Sequence, residues 1–332
     1  MKTQELIHSL SVVKPGLGDK EVIDQTTAFI FADDRVVAYN DEIFISHPIT
    51  STGIEGAVKA EELYEFLNKV KKDEIEMSIE EDQLFLKAGR SKVWMKLQTE
   101  ISLPNPIDEQ WIDLPNGFMN ILKFVSIACS KNAATPALTC VHLREDGVAE
   151  ATDRYRICQQ EIDFEQELLL PIDIIQTVSQ IEPTMISIKD DWIYFTNEED
   201  TIITCRKFTA EFPDIDEIIE KVSEKEFVEI KFPKTFNEII ERAIIFSKKD
   251  YVYDEHLEVH LEKNLITIKS ESDYAKFEES TKAIYKGKET KFHIIPKIFQ
   301  DVVQNADAIY LNDRMIKFEG TDWAYFGSVT KL

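Results

Sequence analysis

One pattern recurs three times along this chain of 332 residues, and it narrows the possible folds more than anything else in the sequence. Each occurrence reads as a helix, then strands, then a second helix and further strands. The second helix is the clearest. In the first repeat it runs from Val58-Lys59-Ala60 through Leu63, Phe66, Leu67 and Val70. In the second it runs from Leu170-Pro171-Ile172 through Ile174, Ile175, Val178 and Ile181, and in the third from Ile295-Pro296-Lys297 through Ile298, Phe299, Val302 and Val303. Apolar residues three and four apart place one stripe toward a core. Pro171 and Pro296 are read in the first turn, where a missing N–H costs nothing. A shorter first helix is marked by Leu6, Leu10 and Val13, by Phe118, Ile121, Leu122, Val125 and Ala128, and by Phe236, Ile239, Ile240, Ala243 and Phe246.

Alternating apolar residues follow each second helix: Ile75, Met77 and Ile79; Ile186 and Ile188; Ile309 and Leu311. Period-two alternation means strands with one buried face. The expected class is therefore α+β: three similar domains, each with two short helices packed on antiparallel sheet. Boundaries are expected at polar or proline-bearing joins, Leu103-Pro104-Asn105-Pro106 and Glu220 to Glu226. The domains would be 1–106, 107–223 and 224–332, each of ordinary domain size.

The formal net charge is −24, which by itself argues against a nucleic-acid binder unless basic residues cluster locally. They recur at one place in the repeat, at the end of the first helix or just beyond it. Repeat one has Lys14 and Lys20, repeat two Lys131 beside Asn132, and repeat three Lys248 and Lys249; Lys123 and Arg242 lie on the helices themselves. The third repeat is closer to charge balance than the second. Met1 to Leu10 include Lys2, Glu5 and His8 without a long apolar core, so a secretory signal is not expected. No stretch approaches the roughly 18 apolar residues of a spanning helix. Cys129, Cys140, Cys158 and Cys205 are widely spaced and read as buried, reduced thiols of a cytoplasmic protein.

Signatures of catalysis are weak. Gly16-x-Gly18 lacks the third glycine of a dinucleotide fingerprint, and there is no P-loop, zincin or nucleophile-elbow motif. His256, Glu258 and His260 alternate on what reads as an exposed strand face rather than a metal site. Asp190-Asp191 and Glu198-Glu199-Asp200 read as turns. The expectation is a chain that is not an enzyme and has no cofactor or metal.

Several segments resemble a known family. Ala151-Thr152-Asp153-Arg154-Tyr155-Arg156-Ile157 looks like the A-T-D-x-x-R-L segment of bacterial DNA polymerase III beta subunits, with a weaker cousin at Asn40-Asp41-Glu42-Ile43. Glu211-Phe212-Pro213-Asp214-Ile215 looks like that family's F-P-D-Y segment, Pro136 to Val141 resembles the stretch before its first middle-domain strand, and Lys331-Leu332 resembles its basic–Leu terminus. The chain is somewhat short for a cellular member, so a divergent or virus-encoded one stays open.

The resemblance implies a DNA sliding clamp, a polymerase processivity factor. It would be a head-to-tail homodimer whose six domains form a ring around duplex DNA, loaded by a clamp loader and bound by a replicative polymerase, with no membrane partner. In the family, the basic positions above face the DNA. By the same resemblance, partner peptides would take a groove formed by Leu138, Thr152, Tyr155, Arg156, Ile157, Pro213, Ile218, Phe326, Val329 and Leu332. Glu217 departs from the pattern, standing where the family often has a basic residue. The alternative, an acidic DNA mimic that sequesters DNA-binding proteins, accounts for the charge but not for the repeat or the motifs.

Overall fold

The computed structural model describes residues 1–21, 23–101, 103, 110–233, 235–249 and 255–332. The join at Pro104 to Glu109, and with it the expected boundary at Pro106, lies outside the described residues. Seven helices are formed among those described: α1 Thr3–Val13, α2 Ala60–Lys69, α3 Phe118–Val125, α4 Ile172–Val178, α5 Ile215–Ser223, α6 Phe236–Ile245 and α7 Pro296–Val302.

Six of these are the helix pairs of the three repeats, with two corrections. The first helix of each pair is not the shorter one: α1, α3 and α6 have 11, 8 and 10 residues, against 10, 7 and 7 for α2, α4 and α7. In the first two repeats the cause lies at the front of the second helix. Gly56–Lys59 and Leu168–Pro171 are buried strands, and the helices start only at Ala60 and Ile172. Pro171 therefore closes a strand, whereas Pro296 does open its helix. The seventh helix, α5, occupies much of the segment read as a polar join.

The chain divides into two compact units, Met1–Met119 with Asp173–Phe208, and Asn120–Ile172 with Thr209–Leu332. Each takes one flanking repeat and part of the middle one. The first unit holds an eight-stranded antiparallel sheet in the spatial order Gly56–Lys59, Ala28–Ala32, Arg35–Tyr39, Ile43–Pro48, Ile202–Arg206, Trp192–Thr196, Met185–Lys189 and Ile112–Asp113. The join between repeats is made by backbone pairing, with Ile203 opposite Ile45. On this sheet lies α1, with Leu6, Leu10 and Val13 fully buried against strands Arg35–Tyr39 and Ile43–Pro48 and against α2. A separate three-stranded sheet contains Glu76–Glu80, Gln83–Ala88 and Ser91–Lys96.

The second unit is built likewise. Its nine-stranded sheet runs Leu168–Pro171, Cys140–Leu143, Val148–Thr152, Arg156–Glu161, Trp323–Ser328, Met315–Glu319, Ala308–Leu311, Val228–Lys231 and Ile284–Tyr285. A five-stranded sheet runs Lys276–Lys282, Leu265–Glu271, Leu257–Glu262, Thr290–Ile294 and Thr330–Lys331. Helix α6 packs on α7 and on strand Leu265–Glu271, and Phe236, Phe299 and Phe318 form a chain of edge-to-face rings in the core.

Part of the acidity has a structural use. Asp33-Asp34 and Glu81-Asp82 close two-residue hairpins with φ between 47° and 61°, left-handed backbone that Asp tolerates better than most residues. Asp190-Asp191 is a turn, as expected, with Asp190 at φ 50°. One hydrogen-bonded turn recurs in all three repeats, and once more at Asn312, which accepts from the N–H groups of Arg314 and Met315 (both 2.9 Å). The side chain of Asn40 accepts from the N–H groups two and three residues on (both 2.9 Å), Asp153 does the same (3.0 and 3.1 Å), and so does Ser272 (3.4 and 3.2 Å). All four cysteines are free and buried. Among the described residues, no helix is long and apolar enough to cross a membrane.

Candidate functional site

The A-T-D segment owes its shape to hydrogen bonds that close it on itself. Thr152 Oγ1 donates to the Arg156 carbonyl (2.7 Å) and accepts from the Arg154 N–H (3.1 Å). Asp153 Oδ2 accepts from Arg156 Nε at 2.8 Å. Arg154 sits at φ 78°, which the turn requires. The result presents Tyr155 to solvent, 53% exposed, and holds the Arg156 side chain in place.

Beside this turn lies a depression of about 570 Å³. Leu138 and Ile298 are buried in its wall, and Lys131, Asn132, Tyr155 and Lys297 line it with Arg156. Helix α7 reaches this wall because Gly327 lies beneath it: a Cβ there would come within 2.6 Å of the Ile298 side chain. The apolar wall with cationic groups around it suits an extended segment carrying apolar and acidic side chains.

The ten groove residues expected from sequence do not line one cavity. Arg156 lies opposite Gly327 and Ile157 opposite Phe326. Neighbours in a strand point to opposite faces, so the depression takes Leu138, Tyr155 and Arg156 while Ile157 and Phe326 fall on the other side of the sheet. There they form a core cluster with Ile215 and Met315, covered by Phe212, Ile219, Val222 and Phe227. Thr152 is buried and spends its hydroxyl on the turn. Pro213 leads into α5 half-buried, and Ile218 faces outward on that helix. The tail is pinned by its backbone: Val329 N–H donates to the Arg314 carbonyl (2.8 Å) and Leu332 N–H to that of Lys291 (3.1 Å), with the Leu332 side chain exposed. Ile298 and Lys297 were missed. Their signal was present: Lys297 interrupts the apolar run of α7 at a position facing the A-T-D turn.

Comparison of whole folds gives a consistent answer. The DNA polymerase III subunit beta of Pseudomonas aeruginosa is similar with a TM-score of 0.83 at 16% identity, covering 99% of this chain and 99% of that one. The fold is that of the DNA polymerase III beta subunit. A Bacillus subtilis DNA polymerase sliding clamp gives 0.83 at 17% identity, covering 100% and 98% of the two chains, and the Thermotoga maritima beta subunit gives 0.79 at 18%, also covering 100% and 98%. No protein-family model matches the sequence, and no curated protein does.

Within the clamp fold, the basic candidates differ in what they already hold. Lys14 follows α1 and places Nζ 4.5 Å from the centre of the Tyr64 ring, a cation–π contact. Lys20, Lys123, Lys131, Asn132 and Lys248 are exposed. Lys249 is 3.3 Å from Asp273. Arg242 is the least available, since Glu279 accepts from both its Nη2 (2.8 Å) and Nε (3.0 Å). Lys131 and Asn132 line the depression, which gives them a second candidate role.

Thiol chemistry is unfavourable. Burial pushes the Cys140 thiol up to about 11, and those of Cys129 and Cys205 to about 12, far from a reactive thiolate. The pair Glu198-Glu199 and Asp200 is a turn, and Asp200 is engaged by Arg35 at 2.7 Å.

Proposed function

We propose that this chain is a DNA sliding clamp: three domains per subunit, two subunits closing head to tail around duplex DNA, and no reaction of its own. The observation that carries the reading is the likeness in fold to clamps from end to end. Two open edges support closure. Strand Ser91–Lys96 ends one sheet and Lys276–Lys282 ends another. Beside the second edge Ile245 is 63% exposed, next to Phe246, which stacks on Phe277 with ring centres 5.8 Å apart. An open edge with an exposed apolar neighbour invites a partner strand, and a heterologous contact repeated twice would close a ring. In this reading the chain works in the cytoplasm, a clamp loader opens it, and polymerase segments dock at the depression beside Tyr155 and across Ile218.

A ring holds DNA by topology, so a charge of −24 is tolerable. The exposed lysines would make a handful of phosphate contacts, with direct binding on the order of 10⁻⁴ to 10⁻⁶ M at physiological salt. The mimic reading explains the charge but not the repeated fold. The test is to load the protein on a nicked DNA circle with a bacterial clamp loader and ATP, then linearise the circle. Retention on the circle with rapid loss from the linear form is expected. Equal retention on both would mean contact-driven binding and end the clamp reading.

A further inference from the structure

We propose that the first unit carries a binding site for a divalent transition-metal ion, with Zn²⁺ as the ion its donors suit best, formed by His8, His47 and Glu199. The three come from separate elements: α1, strand Ile43–Pro48 and the turn at 197–201. Their ligand atoms all lie within 4.8 Å of one another. The two imidazole rings are edge-to-face at 5.9 Å and 82° rather than stacked. In a tetrahedral site with Zn–N near 2.0–2.1 Å, donor atoms stand roughly 3.4 Å apart. The difference is within reach of side-chain rotation at His8 and Glu199, both exposed, while His47 stays in place.

What distinguishes the site from a chance surface cluster is the support behind it. His47 is 7% exposed, and its Nδ1 lies 2.8 Å from Oγ1 of Thr201, which is fully buried. That contact orients the ring and leaves Nε2, which has no hydrogen-bond partner among the described residues, as the donor atom. The turn carrying Glu199 is held as firmly. Asn197 Oδ1 accepts from the N–H groups of Glu199 (3.1 Å) and Thr201 (3.0 Å), and Asn197 Nδ2 donates to the Ile181 carbonyl (2.8 Å). Arg35 binds both the carbonyl (2.6 Å) and the carboxylate (2.7 Å) of Asp200, and its Nε donates to Ser46 beside His47 (2.6 Å). The His47 ring and the backbone of the turn that carries Glu199 are thus positioned before an ion arrives.

Two imidazoles and a carboxylate favour zinc over magnesium or calcium, which prefer oxygen. A bound ion would tie α1 to the turn before strand Ile202–Arg206. A second cluster, His260, Glu262 and Glu289, offers one imidazole whose Nε2 already meets Glu289 at 2.8 Å, so it serves as the control.

The test uses the full chain, free of any affinity tag and stripped of metal. Zn²⁺ is titrated in competition with a chromophoric chelator, and melting is followed in parallel. One ion per chain and a higher melting temperature with zinc are expected. His8→Ala and Glu199→Gln should each weaken binding about tenfold or more and remove the melting shift, while His260→Ala should bind as the parent does. Both ligand changes are at exposed positions, so the fold should survive, which circular dichroism would verify. Absence of zinc uptake at micromolar ion, unchanged titrations in His8→Ala and Glu199→Gln, or loss in His260→Ala alone would each overturn the assignment.

Discussion

Asp313, in the turn between strands Ala308–Leu311 and Met315–Glu319, joins two segments far from its own hairpin. One carboxylate oxygen takes Lys225 at 2.6 Å, just beyond α5, and the other takes Lys331 in the tail. Hydrogen bonds from Lys225 and Lys331 hold its carboxyl well below the usual 3.8, at about 2. A lowered carboxylate supports the folded state above its ordinary value and loses that support as pH falls through the lowered one. The tail should therefore stay docked at pH 4 and loosen only near pH 2. Being exposed, these bridges should weaken with salt. Asp313→Asn should raise amide hydrogen exchange at 328–332 at every pH above that window, measured by mass spectrometry. Equal protection in both proteins would show that backbone pairing to strand Thr290–Ile294 holds the tail unaided.

Helix α5 shows how a short element acquires its stability from packing. Asp214 caps it, accepting from the Glu217 N–H at 2.9 Å. Ile215, Ile219 and Val222 turn inward over Ile157 and Phe326, and Ile218 turns out. Ile215 is 1% exposed, so Ile215→Ala should cost about 2–4 kcal/mol in urea unfolding. Asp214→Ala should cost about 1 kcal/mol, and Ile218→Ser less than about 0.5 kcal/mol. If Ile215→Ala were as mild as Ile218→Ser, the assignment of the inward face would be wrong. The helix was hard to read in the sequence because three of its nine residues are acidic and its apolar positions span barely two turns. The A-T-D segment was legible because Thr152 and Asp153 spend their side chains on local hydrogen bonds, and F-P-D because Asp214 caps α5 while Phe212 packs on the apolar cluster, which fixes residue types at fixed spacing.

For the molecule as a whole, the edges carry the prediction. In the clamp reading, the open strand Lys276–Lys282 and the exposed Ile245 meet a second subunit. Ile245→Asp should convert a sedimenting dimer to monomer without changing the far-ultraviolet spectrum, because the side chain is largely in solvent within one chain. A dimer that survives this change would move the interface elsewhere. The threefold design itself was visible early, and the structure extends it to a detail the sequence hid. The turns at Asn40, Asp153 and Ser272 share one hydrogen-bond pattern although the three side chains differ.

Periodicity along the chain was enough to establish the α+β class, the helix pairs and their order, since the 3.6 and 2.0 repeats are local properties of the backbone. It misjudged where helices begin at Ala60 and Ile172, because a strand buried on both faces and a helix stripe look alike over four residues. Tertiary structure alone decided that strand Ile202–Arg206 joins Ile43–Pro48, that Arg156–Glu161 joins Trp323–Ser328, and hence that Arg156 and Ile157 serve opposite faces of a sheet. It also alone brought His8, His47 and Glu199 together. The reason is physical: strands pair through backbone N–H and C=O groups that every residue but proline carries, so the choice of partner strand leaves little trace in the side chains.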